Sequence, residues 1–205
     1  MYQNFYKLDR EKQKRIINSS LHVFSINDFK HASTDDIAAK AKISKGSLFQ
    51  YFKNKQSLYI FVYDYALKVL EKKANENFNF EETDYFEILC QSQKQKMALL
   101  EQYPYSYQFV IKASSEKIPE IVKLVADVNQ KKEAEMVINI FENIDYSKFK
   151  DGTDIEKVTK MICWCSEGIW KEGIHNHLNV SEMYEQLLEV YDFYKRSVYK
   201  EEYLC

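Results

Sequence analysis

A chain of 205 residues, 45% apolar and 15% aromatic, is long enough for one sizeable core or for a small module fused to a larger one. Four glycines and two prolines are too few turn residues for a β-sandwich or a doubly wound sheet, so the expected class is all-α. The net charge of −2 conceals an asymmetry: residues 1–60 carry 11 basic and 5 acidic side chains (+6), and the other 145 carry 18 and 26 (−8). That polarity suits a basic end facing a polyanion and an acidic body repelled by it, against the plainer reading of an unevenly charged solvated surface. The most apolar stretch, Leu58 to Leu70, is interrupted by Asp64 and Lys68, short of the roughly 18 residues of a membrane span. The first ten residues hold no signal-peptide core, and Cys90, Cys163, Cys165 and Cys205 show no disulfide-framework spacing; the expected location is the cytoplasm.

In chain order, Ile17, Leu21 and Phe24, widened by Ile16 and Val23, predict a helix from about Asp9 to Ile26. Asn27-Asp28 then offers two residues that tolerate a left-handed helix end. Ser33 reads as the next N-cap, with Thr34, Asp35 and Asp36 in the first turn of a short helix that buries Ile37, Ala38 and Ala41. After a turn around Ala41-Lys42-Ile43, Ser44 caps a third short helix running to about Tyr51. Asn54 caps a long helix with the stripe Leu58, Phe61, Val62, Tyr65 and Val69. Further helices are expected near 82–103, 105–116, 119–144, 153–175 and 181–200, about nine in all, with Pro104 and Pro119 starting two of them. Asp145 to Asp154 is the clearest internal loop.

Two short helices joined by a tight turn behind a packing helix form a helix-turn-helix, whose second helix enters the DNA major groove. That helix reads Ser44-Lys45-Gly46-Ser47-Leu48-Phe49-Gln50-Tyr51. Leu48 and Phe52 point inward at i, i+4, leaving Lys45, Ser47, Phe49, Gln50 and Tyr51 outside. Lysine reaches phosphate or guanine, glutamine pairs with adenine, and an aromatic edge packs on a thymine methyl. The hydroxyls of Ser33, Thr34 and Ser44, at helix N-termini, suit phosphate oxygens. Gly46 costs about 1 kcal/mol relative to alanine inside a helix, and close backbone approach to DNA is a compensating reason for it.

The stretch Asp36-Ile37-Ala38, followed by Ile43 through Leu58 (ISKGSLFQYFKNKQSL), resembles the DNA-binding domain of TetR/AcrR-family regulators. The similarity covers about residues 10–60. It implies that Tyr51, Lys55 and Ser33 contact phosphates, and that Lys45, Gly46, Ser47, Phe49 and Gln50 lie against the major groove. Lys53 joins this set as a solvated lysine or a phosphate contact. The sequence departs from the family pattern where Lys42 replaces the turn glycine, Asp28 the glycine after the first helix, Phe49 the usual tyrosine and Ala32 a common threonine. The resemblance implies a DNA-binding domain over residues 1–55 and an effector-binding and dimerisation domain over 56–205. It further implies a repressor that binds a palindromic operator as a homodimer, and no enzyme, cofactor or metal.

The body itself is read from its residues. The helix near 153–175 is apolar on two faces, one with Ile155, Val158, Ile162, Cys165 and Ile169, the other with Met161, Trp164 and Gly168. The last helix is similar, with Tyr184, Leu187, Leu188, Tyr191 and Val198 beside Met183, Val190 and Phe193. A helix apolar on two sides is buried on two sides. The family's last two helices pair across a dimer, and Ile162, Cys165, Ile169, Leu187, Tyr191 and Tyr194 are the residues expected there. Cys90, Met97, Tyr107, Phe109, Met136 and Trp164 are the candidate lining of a pocket, which predicts an apolar or aromatic effector. An aromatic stripe serving as plain core is the competing account.

Two rival functions remain. An enzyme lacks support, since no phosphate loop, nucleophile elbow or HExxH motif occurs, and Cys163 and Cys165 lie about 200° apart around a helix. His175 and His177 near a helix end are a weak candidate for metal. A helical protein–protein interaction module is the stronger alternative, and salt dependence separates it from DNA binding.

Overall fold

The computed structural model describes residues 2–135, 143–176 and 178–204. Ten α-helices are found among them: α1 (Gln3–Tyr6), α2 (Arg10–Ile26), α3 (Thr34–Lys40), α4 (Lys45–Phe52), α5 (Lys55–Asn75), α6 (Tyr85–Gln102), α7 (Pro104–Ser114), α8 (Pro119–Glu135), α9 (Ile155–His175) and α10 (Val180–Val198). The fold is all-α, as expected. Among the described residues, no helix is long and apolar enough to cross a membrane.

The chain divides into two compact units, Met1–Asn77 with Ala98–Val137, and Phe78–Met97 with Ile138–Cys205. In the first unit, α2 packs on α3, α5 and α7, and α5 packs on α7 and α8. Its centre is aromatic. Phe24 stacks on Phe109 at 5.4 Å between ring centroids, and Tyr59 meets both rings edge-on at 4.8 and 4.9 Å. Burial raises the Tyr59 phenol pKa. Phe109, expected in an effector pocket, is thus fully buried in the core that joins α2, α5 and α7.

The buried stripe of α5 is rotated from the expected one. Leu58 and Val62 are buried, but they are joined by Tyr59, Tyr63, Ala66 and Leu70, whereas Tyr65 is exposed. Tyr63 escapes an apolar pattern because its hydroxyl finds a partner, donating to Asn129 Oδ1 of α8 at 2.8 Å. The end of α2 differs too. Asn27 is extended, and Asp28 is not among the positive-φ residues. The chain is held there by Asp28 Oδ1 accepting from the His31 backbone N–H at 2.8 Å, a side-chain turn that needs no left-handed residue. Helix α1 has no counterpart in the expected set; it places Tyr2 and Phe5 against Phe52 and Phe61.

The second unit gathers the first part of α6 with α9 and α10 around Tyr85, Phe86, Ile162, Tyr191 and Tyr199. A short 3-10 turn, Tyr146–Lys148, lies inside the expected loop, and an isolated antiparallel bridge joins Phe149 to Tyr199. The last helix starts with a reciprocal cap between Asn179 and Glu182.

This packing decides which apolar faces of α9 and α10 are used inside one subunit. Ile162 (2% exposed), Leu187 (0%) and Tyr191 (3%) point into the unit's own core, so they add no area to a contact with a second chain. Cys165, Ile169 and Tyr194 are half-buried. The apolar side chains left outside are Met161, Trp164 (61%), Leu188 and Phe193 (67%).

Phe109→Ala should cost about 3–5 kcal/mol, because the cavity opens at a contact shared by three helices. Denaturant unfolding monitored by circular dichroism measures it. A loss below about 1 kcal/mol, the scale of a surface change, would remove Phe109 from the core role assigned here.

Candidate nucleic-acid interface

Three polar side chains build the geometry of the helix-turn-helix, each closing a helix start locally. Ser33 Oγ accepts from the Asp36 N–H at 3.2 Å, Ser44 Oγ from the Ser47 N–H at 3.1 Å, and Asn54 Oδ1 from the Ser57 N–H at 2.8 Å. All three caps lie where the sequence placed them. Between α3 and α4 the chain reverses through Lys42 at φ 56°, so the lysine standing in the turn takes the left-handed bend. Lys53 does the same at φ 65° after α4, a feature the sequence did not signal.

Helix α4 is anchored by Leu48 and Phe52, both buried. Its other residues divide in two. Lys45, Gly46 and Gln50 are exposed, while Ser47, Phe49 and Tyr51 are half-buried. Lys45 Nζ meets Asp35 Oδ2 of α3 at 2.8 Å, with both side chains largely in solvent. An exposed pair of that kind is worth about 0–1 kcal/mol and exchanges readily for a phosphate. Ser44 and Ser47 hydroxyls hydrogen-bond at 2.9 Å, and Lys12 Nζ lies 5.7 Å from the Tyr51 ring centre. Lys12 was not among the expected residues; only the basic excess of the first 60 residues hinted at it.

Two expected contacts are engaged inside the fold. Thr34 is buried, which leaves Ser33 as the hydroxyl that can meet a phosphate at α3. Lys55 Nζ donates to the Lys30 carbonyl at 3.2 Å and lies 4.8 Å from the Phe29 ring centre; desolvation lowers its pKa. Lys53 is exposed.

Gly46 carries the most information. A Cβ built there would meet nothing nearer than Ser44 Oγ at 3.9 Å, so the subunit's own packing does not demand glycine. A glycine that the fold does not need, in the first turn of an exposed helix, points to a requirement from outside the chain.

The expected pocket residues are divided between the two units. Tyr107 and Phe109 belong to the first unit, while Cys90, Met97 and Trp164 belong to the second. Cys90 and Met97 are half-buried, Trp164 is exposed, and Met136 lies outside the described residues, as does His177. Two cavities of the first unit, of about 430 and 280 Å³, take in none of these side chains.

A capped pair of short helices with a tight turn, an exposed polar α4 and a basic surround defines a DNA-reading helix-turn-helix protein. Residues 16–60 match the family described as bacterial regulatory proteins, tetR family. That segment carries the helix-turn-helix and both of its serine caps.

Solved structures share the fold over nearly the whole chain. A TetR family transcriptional regulator from Chloroflexus aurantiacus J-10-FL is 20% identical, with a TM-score of 0.66 over 97% of this chain and 98% of its own. SmeT, the repressor of the Stenotrophomonas maltophilia multidrug efflux pump SmeDEF, is 11% identical, with a TM-score of 0.65 over 96% and 93%. The fatty acid degradation regulator FadR from Bacillus halodurans is 16% identical, with a TM-score of 0.57 over 89% and 96%. Among curated proteins no significant match is found.

Gly46→Ala should leave the fold intact or stabilise it by about 0.5–1 kcal/mol while weakening DNA binding. Thermal melts and fluorescence anisotropy on a bound duplex measure the two effects. Unchanged DNA affinity would show that the glycine has no role at the interface.

Proposed function

We propose that the protein is a ligand-responsive transcriptional repressor that binds a palindromic operator as a homodimer. The observation that carries the DNA contact is the outward-facing Gly46, flanked by exposed Lys45 and Gln50 inside the segment matched to the tetR family. Lys45, Gly46, Ser47, Phe49 and Gln50 read the groove, and Ser33, Ser44, Tyr51 and Lys53 hold the phosphate backbone. Lys55 acts indirectly, by fixing the Phe29–Lys30 segment that leads to Ser33. Repression, a small-molecule effector in the body and a cytoplasmic location are the readings that accompany this class. The functional division follows the sequence, with DNA binding in residues 1–55 and effector binding and dimerisation in 56–205.

The switch is mechanical. Helix α5 begins at the Asn54 cap, directly after the recognition helix, and Phe61 of α5 lies 5.1 Å from Phe52 of α4 between ring centroids. Effector binding that displaces α5 therefore displaces α4, and a changed spacing of two recognition helices no longer fits paired half-sites.

The dimer uses Met161, Trp164, Leu188 and Phe193, the apolar side chains of α9 and α10 left outside the subunit core. Exposed aromatic side chains on two neighbouring helices suit the apolar centre of such an interface. Phe193→Glu should convert the dimer to monomer in sedimentation velocity and abolish tight operator binding. A dimer undiminished by that change would place the interface elsewhere.

Selection from a random duplex pool, followed by titration of the winner at two salt concentrations, tests the central reading. A palindromic winner is expected, bound with a steep fall in affinity as salt rises and lost in the Lys45→Ala/Tyr51→Ala double variant. If nothing is enriched, or the variant binds equally well, the module serves a protein partner instead.

A further inference from the structure

The second unit holds buried polar groups that its own fold leaves unanswered. Gln93 and Lys96 stand three residues apart on α6; Lys96 lies over Trp170 of α9, and Gln93 shares the Tyr191 hydroxyl of α10 with Ser166, one turn before Trp170. The Tyr191 hydroxyl engages the side chains of Ser166 and Gln93, and burial pushes its pKa up to about 12. That leaves Gln93 Oε1 as a buried acceptor without a donor, and Trp170 Nε1 as a buried donor without an acceptor. Lys96 Nζ lies 4.3 Å from the Trp170 ring centre. Desolvation lowers its pKa to about 8, against an opposing pull from Glu167. Glu167 is itself exposed and lies 3.5 Å from Lys171, and among the described residues Lys96 has no ion pair.

Each of these groups is costly to leave alone. A buried donor or acceptor without a partner loses its hydration for nothing, and a desolvated ammonium loses more. Lys96 over the Trp170 ring, the unpartnered Trp170 Nε1 and the unpartnered Gln93 Oε1 give the second unit two donors, one of them cationic, and one acceptor on α6 and α9. A carboxylate has two oxygens to offer two such donors. The acceptor calls for a donor on the same molecule, and a second cation beside Lys96 would be repelled, so that donor is neutral, and a hydroxyl is the smallest group that supplies it.

We propose that Gln93, Lys96 and Trp170 form the head-group site for a small hydroxy-carboxylate, whose carboxylate accepts from Lys96 Nζ and Trp170 Nε1 and whose hydroxyl donates to Gln93 Oε1. The half-buried Cys90 and Met97, on the same helix, are nearby apolar surface for the remainder of the molecule. This deepens the effector reading of the body, on which its regulatory meaning rests: the effector is aromatic or apolar at one end and anionic at the other.

Titration calorimetry with phenyllactate, and with its uncharged amide as control, tests the site on the full chain. Saturable binding of phenyllactate is expected, with the amide weaker by about tenfold or more, as a charge-assisted pair requires. Lys96→Met and Trp170→Phe should each weaken phenyllactate, whereas Lys96→Arg should keep it. Melting curves check that each variant is folded, and the acid–amide comparison on the unaltered protein stands even if one is not. Equal binding of acid and amide, undiminished binding by Lys96→Met, or no binding of phenyllactate overturns the proposal. Release of the selected operator by an uncharged compound, with phenyllactate inert, would overturn this site while leaving the regulator reading intact. Failure to select any operator would overturn that reading instead, and the calorimetry would still decide the site.

Discussion

The contact among Phe24, Tyr59 and Phe109 is the constraint on which the DNA-reading part depends. These rings belong to α2, α5 and α7, and each lies within 5.4 Å of the other two between centroids. Close-packed aromatic cores do not deform smoothly, so three helices locked this way move together or repack in steps. Recognition helix α4 has no such grip of its own. It is eight residues long and buries two side chains, so its position is set by what Phe52 and Leu48 rest against. Phe52 meets Phe5 of α1 and Phe61 of α5 at the same 5.1 Å separation. The reading head is therefore only as well placed as α5, the property a switch acting through that helix needs.

The parts of this arrangement that sequence reveals are the local ones. A cap is a contract between a side chain and a backbone N–H two or three residues away, so Ser33, Ser44 and Asn54 announce their helices without help from the rest of the fold. The prolines at the starts of α7 and α8 act in the same way. The end of α2 departs from the sequence expectation because two local solutions compete there. Asn27-Asp28 can take a left-handed turn, but the Asp28 carboxylate instead catches the His31 N–H, and the backbone stays extended.

Tertiary choices were hidden for a different reason. Helix α5 offers apolar or aromatic side chains on most of its circumference, and periodicity chose Tyr65 and Val69 where packing chose Tyr63, Ala66 and Leu70. Small Ala66 and hydroxyl-bearing Tyr63 become core only because α7 and α8 lie against them. The same ambiguity governs α9 and α10. Both have two apolar faces, and nothing in either helix alone says which face meets its neighbour. Once Ile162, Leu187 and Tyr191 are seen inside the subunit, the other face is left to account for Trp164 and Phe193. The half-filled polar cluster at Lys96 is invisible in the sequence, because it joins a pair of residues on α6 and a pair on α9 to Tyr191 of α10, helices far apart along the chain.

Strain at the two ends of α4 bears on what that helix is for. Lys42 and Lys53 both hold positive φ, a conformation that costs an L-residue about 1–2 kcal/mol and that glycine adopts freely. Glycine would fit either bend with less strain, and both side chains are exposed, so neither lysine is retained for packing. What a lysine adds at such a point is charge. The two strained positions bracket the recognition helix, one at each end, and a duplex lying across α4 presents phosphates on both sides of the groove. Exposed cations at two positive-φ positions suit a surface that meets a polyanion, and the observation is independent of Gly46, where the side chain is missing instead.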